Sequence, residues 1–267
     1  MNLLSAFWPF IGTVLINTLL QFISIFGVFV VFGVLLYLLA RYTRHLYVGV
    51  LGEKSDIYFT GWLGTPIHEL GHALLCIPFG HQITEIKLYQ PNAEDGTLGY
   101  VNHMYNPRNP WHLIGNFFIG IGPILLGSAI IYLLIRFLLP NNKQLIDILF
   151  SSSDFNSFSG FLSSMAQLAA AITKAFSALF TVDNLRHWQF WVFLYVSICV
   201  SAHMELSPPD LKGVGSGVVS IIIILLIYNI ICQLFHINSN SLATNIATYT
   251  NMTTGIFILS VAISAFN

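Results

Sequence analysis

Residues 57–80 read IYFTGWLGTPIHELGHALLCIPFG, a run with a single charged residue, Glu69, set between two histidines, His68 and His72. A transmembrane helix needs about 20 apolar residues to cross about 30 Å of hydrocarbon, and this run is long enough. Pro66, preceded by Thr65, predicts that the tight helix starts there, with Thr65 as its N-cap and proline in the first turn. Outward from it the chain is the same in kind. Of its 267 residues 55% are hydrophobic and 8% are charged, where a soluble domain carries roughly 25% charged residues. None of residues 1–40 is Asp, Glu, Lys or Arg, and none follows Lys212.

The same ruler predicts Trp8 to Ala40 as a first span, Trp111 to Leu139 as a third, His187 to Leu206 as a fourth, Val214 to Phe235 as a fifth and Thr248 to Phe266 as a sixth. The Ser- and Ala-rich stretch Ser159 to Phe180 could make a seventh span but reads more easily as an interfacial helix. Between the second and third spans, Ile83 to Tyr89 and Thr97 to His103 flank a Pro/Asn/Asp/Gly turn and read as a hairpin. The fold class is therefore an all-α polytopic membrane protein of about six transmembrane helices with a small membrane-associated β-hairpin. It forms a single membrane-embedded unit over residues 1–267: the helix at 57–80, the hairpin at 83–103, a span at 111–139, a loop with an interfacial helix at 140–186, an aspartate-bearing span at 187–213 and two spans over 214–267. The runs are continuously apolar rather than alternating, which excludes a β-barrel. No basic n-region precedes the first run, so it is expected to stay in the mature chain.

Other classes fall away on composition. A formal net charge of −1 leaves no basic surface for a phosphate backbone, so nucleic acid is not an expected partner. Cys76, Cys199 and Cys232 sit in apolar runs without C-x-x-C spacing, which suggests neither disulfides nor a thiolate metal site.

The chemistry lies in His68-Glu69-Leu70-Gly71-His72. Histidines at i and i+4 leave one helix face together and can share a zinc ion, with the glutamate between them as general base. This composition yields roughly 0.006 accidental matches to that motif. A catalytic zinc takes three protein ligands, and the third is sought in Ser201 to Gly213. Asp210, beyond the break at Pro208-Pro209, is the preferred ligand because the break frees its backbone; His203 and Glu205 are the rivals.

These residues resemble the intramembrane site-2 zinc metalloproteases. Ile67 to His72 is similar to the family's zinc helix, Phe79-Gly80 with Ile83 to Tyr89 to the strand after it, and Gly96 to Val101 to the returning strand. Gly120-Ile121-Gly122-Pro123 is similar to the Gly-Pro signature of the following helix, and Asp210 sits where the family places its ligand aspartate. Leu211-Lys212 intervene before Gly213, and Ala202-His203 stand where the family has an asparagine that helps bind the scissile carbonyl. His203 is the residue that could take over that second role. The resemblance implies cleavage of a membrane-protein substrate in or beside its transmembrane segment, with Glu69 catalytic and zinc held by His68, His72 and Asp210. The hairpin could receive an unwound substrate strand by edge pairing. Two readings compete: a membrane zincin of the prenyl-protein endopeptidase type, completed by Glu205, and a non-catalytic metal-binding or transport protein.

Overall fold

The computed structural model describes residues 3–52, 57–94, 96–150, 170 and 172–239, together with 257, 260, 261 and 264. The chain is mostly helical, with one small sheet. Helix α1 (Leu3–Leu51) is continuous through Pro9 and is followed by a π-helical turn, Ile57–Gly61, that leads into α2 (Trp62–Cys76). Strands β1 (Gln82–Lys87) and β2 (Tyr100–Met104) come next, then α3 (Pro110–Gly120), α4 (Gly122–Leu138) and α5 (Asn142–Phe150). After a helical stretch at 172–179 come the short α6 (Val182–Arg186), α7 (Trp188–Ala202) and α8 (Pro208–Leu234).

Within α1, Phe7–Gly27 is long and apolar enough to cross a membrane, as is α8. The pair α3 and α4 would make a third span if counted as one, although it is bent by 53°; Phe29–Tyr42 and α7 are shorter apolar helices. Leu19, Val34, Phe137, Trp191, Ile223 and Ile227 point outward, 51–77% exposed. An outer surface this apolar suits lipid better than water. The core beneath joins Phe26, Phe32 and Leu36 of α1 to Phe117 of α3, Ile124 and Ile131 of α4, Phe193 of α7 and Ile221 of α8.

Three sequence expectations change. The helix carrying the histidines begins at Trp62 behind a π-helical turn, so Thr65 is not its cap and Pro66 lies inside its first turns. Pro66 therefore lacks the N–H that would donate to the Trp62 carbonyl, and the helix runs on past that missing bond. The third span is broken at Ile121. Asp210 belongs not to the span that begins at residue 187 but to the first turn of α8: Pro208 and Pro209 open that helix instead of merely ending the previous one, as prolines at the first helical positions do. The hairpin forms with β1 and β2 antiparallel, Ile83 opposite His103 and Lys87 opposite Tyr100, with a register irregularity between Ile83 and Glu85. The interfacial helix placed at 159–180 lies mostly outside the described residues, as does the span at 248–266, of which Phe257 packs against Phe29 and Phe32 and Ser260 shares a hydrogen bond of 3.2 Å with Ser128.

Candidate metal centre

His68 and His72 leave the same face of α2, one turn apart, with their Nε2 atoms 3.2 Å from each other. Asp210 closes the group from α8: its Oδ1 lies 3.1 Å from His72 Nε2 and its Oδ2 3.7 Å from His68 Nε2. Among the described residues this is the one group of three such side chains whose ligand atoms converge, all within 4.8 Å.

The far side of each ring explains why they converge. His68 Nδ1 donates to the backbone carbonyl of His203 at 2.6 Å, and His72 Nδ1 donates to that of Ile119 at 2.7 Å. Carbonyl oxygens only accept, so in each neutral ring the proton resides on Nδ1 and Nε2 presents a bare lone pair. Both carbonyls are available for reasons written in the chain. The i+4 partner of Ile119 is Pro123, which has no N–H. The i+4 partner of His203 is Ser207, whose N–H goes to Asp210 Oδ2 at 2.8 Å instead. Fixing an imidazole through its other nitrogen in this way is how proteins orient metal-binding histidines.

Asp210 is positioned as firmly. Ser207 caps α8 in a reciprocal capping box: its Oγ donates to Asp210 Oδ2 at 2.6 Å and also accepts from the Asp210 N–H at 3.4 Å. The reason given for Asp210 at the sequence level, backbone freedom beyond a helix break, is thus replaced by its opposite: a rigid first turn aims the carboxylate. Close backbone crossing brings the other elements in. A Cβ on Gly71 would lie 2.7 Å from the backbone of Gly122, so only glycine lets α2 cross the α3–α4 break and bring His72 to Ile119.

Two Nε2 atoms and a carboxylate face one another across 3.1–3.7 Å, and the tautomer set by the Nδ1 bonds turns both nitrogen lone pairs inward. Ligand atoms arranged tetrahedrally at about 2.0–2.2 Å from one ion sit about 3.3 Å apart, so this donor set fits a divalent cation. Two imidazole nitrogens and one carboxylate oxygen are donors that suit a first-row transition metal with a position left open.

Glu69 is buried, at 6% exposed, and lines two clefts. One, of about 430 Å³, runs between the three converging side chains, Asn116 and the segment Thr97 to His103. The other, of about 360 Å³, opens between Glu69, Gly96 to Gly99, His203 and Glu205. The His203 ring is buried, with Nδ1 3.2 Å from the Cys199 carbonyl and packed against Gly64 of α2, and His203 is among the residues lining this second cleft. Its backbone carbonyl, not its ring, is what supports the metal group. Glu205 shares the second cleft but stands outside the converging group.

Three supporting parts escaped the sequence reading, the Ile119 and His203 carbonyls and Ser207. Ser207-Pro208-Pro209-Asp210 carried the signal for the last, since Ser with an acidic residue three positions on marks a capped helix start. No protein-family profile, curated protein or solved structure matches this chain.

Proposed function

We propose that the chain is a zinc-dependent intramembrane endopeptidase that hydrolyses a peptide bond in or near a transmembrane segment of a membrane protein, as the site-2 proteases it resembles do. The observation that carries this reading is the facing of two Nε2 lone pairs and the Asp210 carboxylate, with Glu69 between the two histidines and beside a cleft. In this reading zinc is held by His68, His72 and Asp210, and the chain crosses the bilayer about six times. Bound zinc supplies Lewis acidity, polarising a carbonyl and lowering the pKa of water to about 7.

The protein's own groups do the rest. Glu69 takes the proton of the attacking water on its carboxylate and returns it to the leaving amine. The segment Thr97 to His103 forms the wall opposite the ligands, where an unwound substrate strand can lie extended and recover backbone hydrogen bonds lost from its helix. In this reading His203, which lines the second cleft beside Glu69, steadies the scissile carbonyl. The position of Glu205 outside the converging group favours Asp210 over it as third ligand and so disfavours the prenyl-protein endopeptidase reading. A purely metal-binding or transport protein has no use for an acid–base group between its two histidines.

The test pairs metal content with cleavage. Purified protein is expected to carry zinc and to lose cleavage of a membrane substrate on chelation. Glu69→Gln is expected to keep the metal while turnover falls about 10²- to 10⁴-fold, the usual contribution of a general base. Full cleavage by metal-free protein, or by Glu69→Gln, would overturn the reading.

A further inference from the structure

A second group of histidines lies at the base of the hairpin. His81 follows the turn after α2, where its N–H donates to the Cys76 carbonyl at 2.9 Å. Its ring is 6% exposed and stacks on Tyr105, with the planes 13° apart and the centroids 5.0 Å apart. His81 Nε2 donates to the backbone carbonyl of His112 at 2.9 Å, which leaves Nδ1 as a bare lone pair. That lone pair points at His103 Nδ1, 3.0 Å away on β2.

We propose that His81 and His103 form a second binding site for a divalent transition metal, on the wall of the cleft opposite His68, His72 and Asp210. The arrangement repeats the logic of the first site: a ring nitrogen anchored to a backbone carbonyl and the other nitrogen set about one ligand-to-ligand distance from a second imidazole. Burial pushes both rings below the ordinary histidine value, with the His112 charge adding to the effect on His81 and those of His81 and His72 adding to that on His103. His103 needs only to move its proton from Nδ1 to Nε2. His112 contributes its carbonyl rather than its ring, whose Nδ1 accepts from the Asn106 N–H at 3.1 Å.

Two imidazoles leave the remaining positions to water or to a group in the cleft, which His103 lines. Imidazole selects zinc, copper, nickel or iron over calcium and magnesium, and two protein ligands hold such an ion less tightly than three. Occupancy ties β2 to the end of α2, and so fixes the strand that walls the cleft. This site is independent of the protease reading, since it concerns metal binding alone.

The test is metal counting on tag-free, full-length protein in detergent, equilibrated with excess Zn²⁺ or Co²⁺ and followed by elemental analysis and by the visible spectrum of the cobalt form. Wild type is expected to take up two equivalents. His68→Ala/His72→Ala is expected to lose one and keep the other, and His103→Ala to lose the complementary one. His81→Ala should match His103→Ala; because His81 is buried and half-buried His103 is not, His103→Gln with an unchanged melting temperature serves if the His81 variant does not fold. A metal count and cobalt spectrum indifferent to His103, both in wild type and in the His68→Ala/His72→Ala background, would show a hydrogen-bonded histidine pair only and would overturn the proposal.

Discussion

Ser207 grips one oxygen of Asp210 through both its N–H and its hydroxyl, leaving the other oxygen toward His72. Replacing it with alanine is therefore expected to act twice. Losing an N-cap hydroxyl costs about 1 kcal/mol of helix stability, and losing a partner that orients a ligand lowers metal affinity about 10- to 100-fold; a metal titration alongside a melting curve separates the two effects. Asp210→Ala should lower metal occupancy and cleavage together. His203→Ala should behave differently, because the carbonyl that orients His68 is backbone and survives the substitution. Metal content is expected to be retained while cleavage falls, and metal loss comparable to that of Asp210→Ala would contradict this division of roles.

At the scale of elements, the break between α3 and α4 has a chemical purpose. Pro123 leaves the Ile119 carbonyl to His72, and Gly71 meets Gly122 backbone to backbone. Pro123→Ala restores an N–H that competes for the Ile119 oxygen, so it is expected to straighten the helix pair and to weaken metal binding about 10- to 100-fold. Gly71→Ala puts a Cβ 2.7 Å from backbone that no rotamer change can move; metal binding should be lost even though the substitution favours helix by about 1 kcal/mol. Metal affinity equal to wild type in both variants would show that the crossing does not position His72.

Across the whole molecule, α1 and α8 are joined by buried polar groups as well as by packing. Asn229 donates to Gln21 Oε1 at 2.8 Å and to Thr18 Oγ1 at 3.1 Å, and Gln21 donates to the Ser239 carbonyl at 2.8 Å. Hydrogen bonds between helices in lipid contribute about 0.6 to 2 kcal/mol. Asn229→Leu should therefore destabilise the protein in detergent by about that amount, and the effects of Asn229→Leu and Gln21→Leu should be less than additive because they break the same bond. Additive losses would mean that the two residues act separately. For the proposed activity, residues that weaken a substrate's helix near the cut should speed cleavage, since backbone groups leaving a helix in lipid lose hydrogen bonds they cannot replace; comparison of otherwise identical membrane substrates with and without such residues checks it.

The apolar runs, the rarity of charge and the hairpin between two helices were legible in the chain, because each depends on composition and on spacing along a few residues. The pairing of His68 with His72 was legible for the same reason: i and i+4 share a helix face whatever surrounds them. Asp210 could be nominated from the sequence but not explained by it. Whether two prolines end one helix or begin the next depends on which side is packed, and here Ser207 caps α8 and draws Asp210 into its first turn. The carbonyls of Ile119 and His203 lie 47 and 135 residues from the histidines they orient. Every backbone carries carbonyls, so no side-chain pattern marks these two; only the crossing of α2 over the α3–α4 break and the end of α7 makes them the acceptors that turn both Nε2 lone pairs toward Asp210.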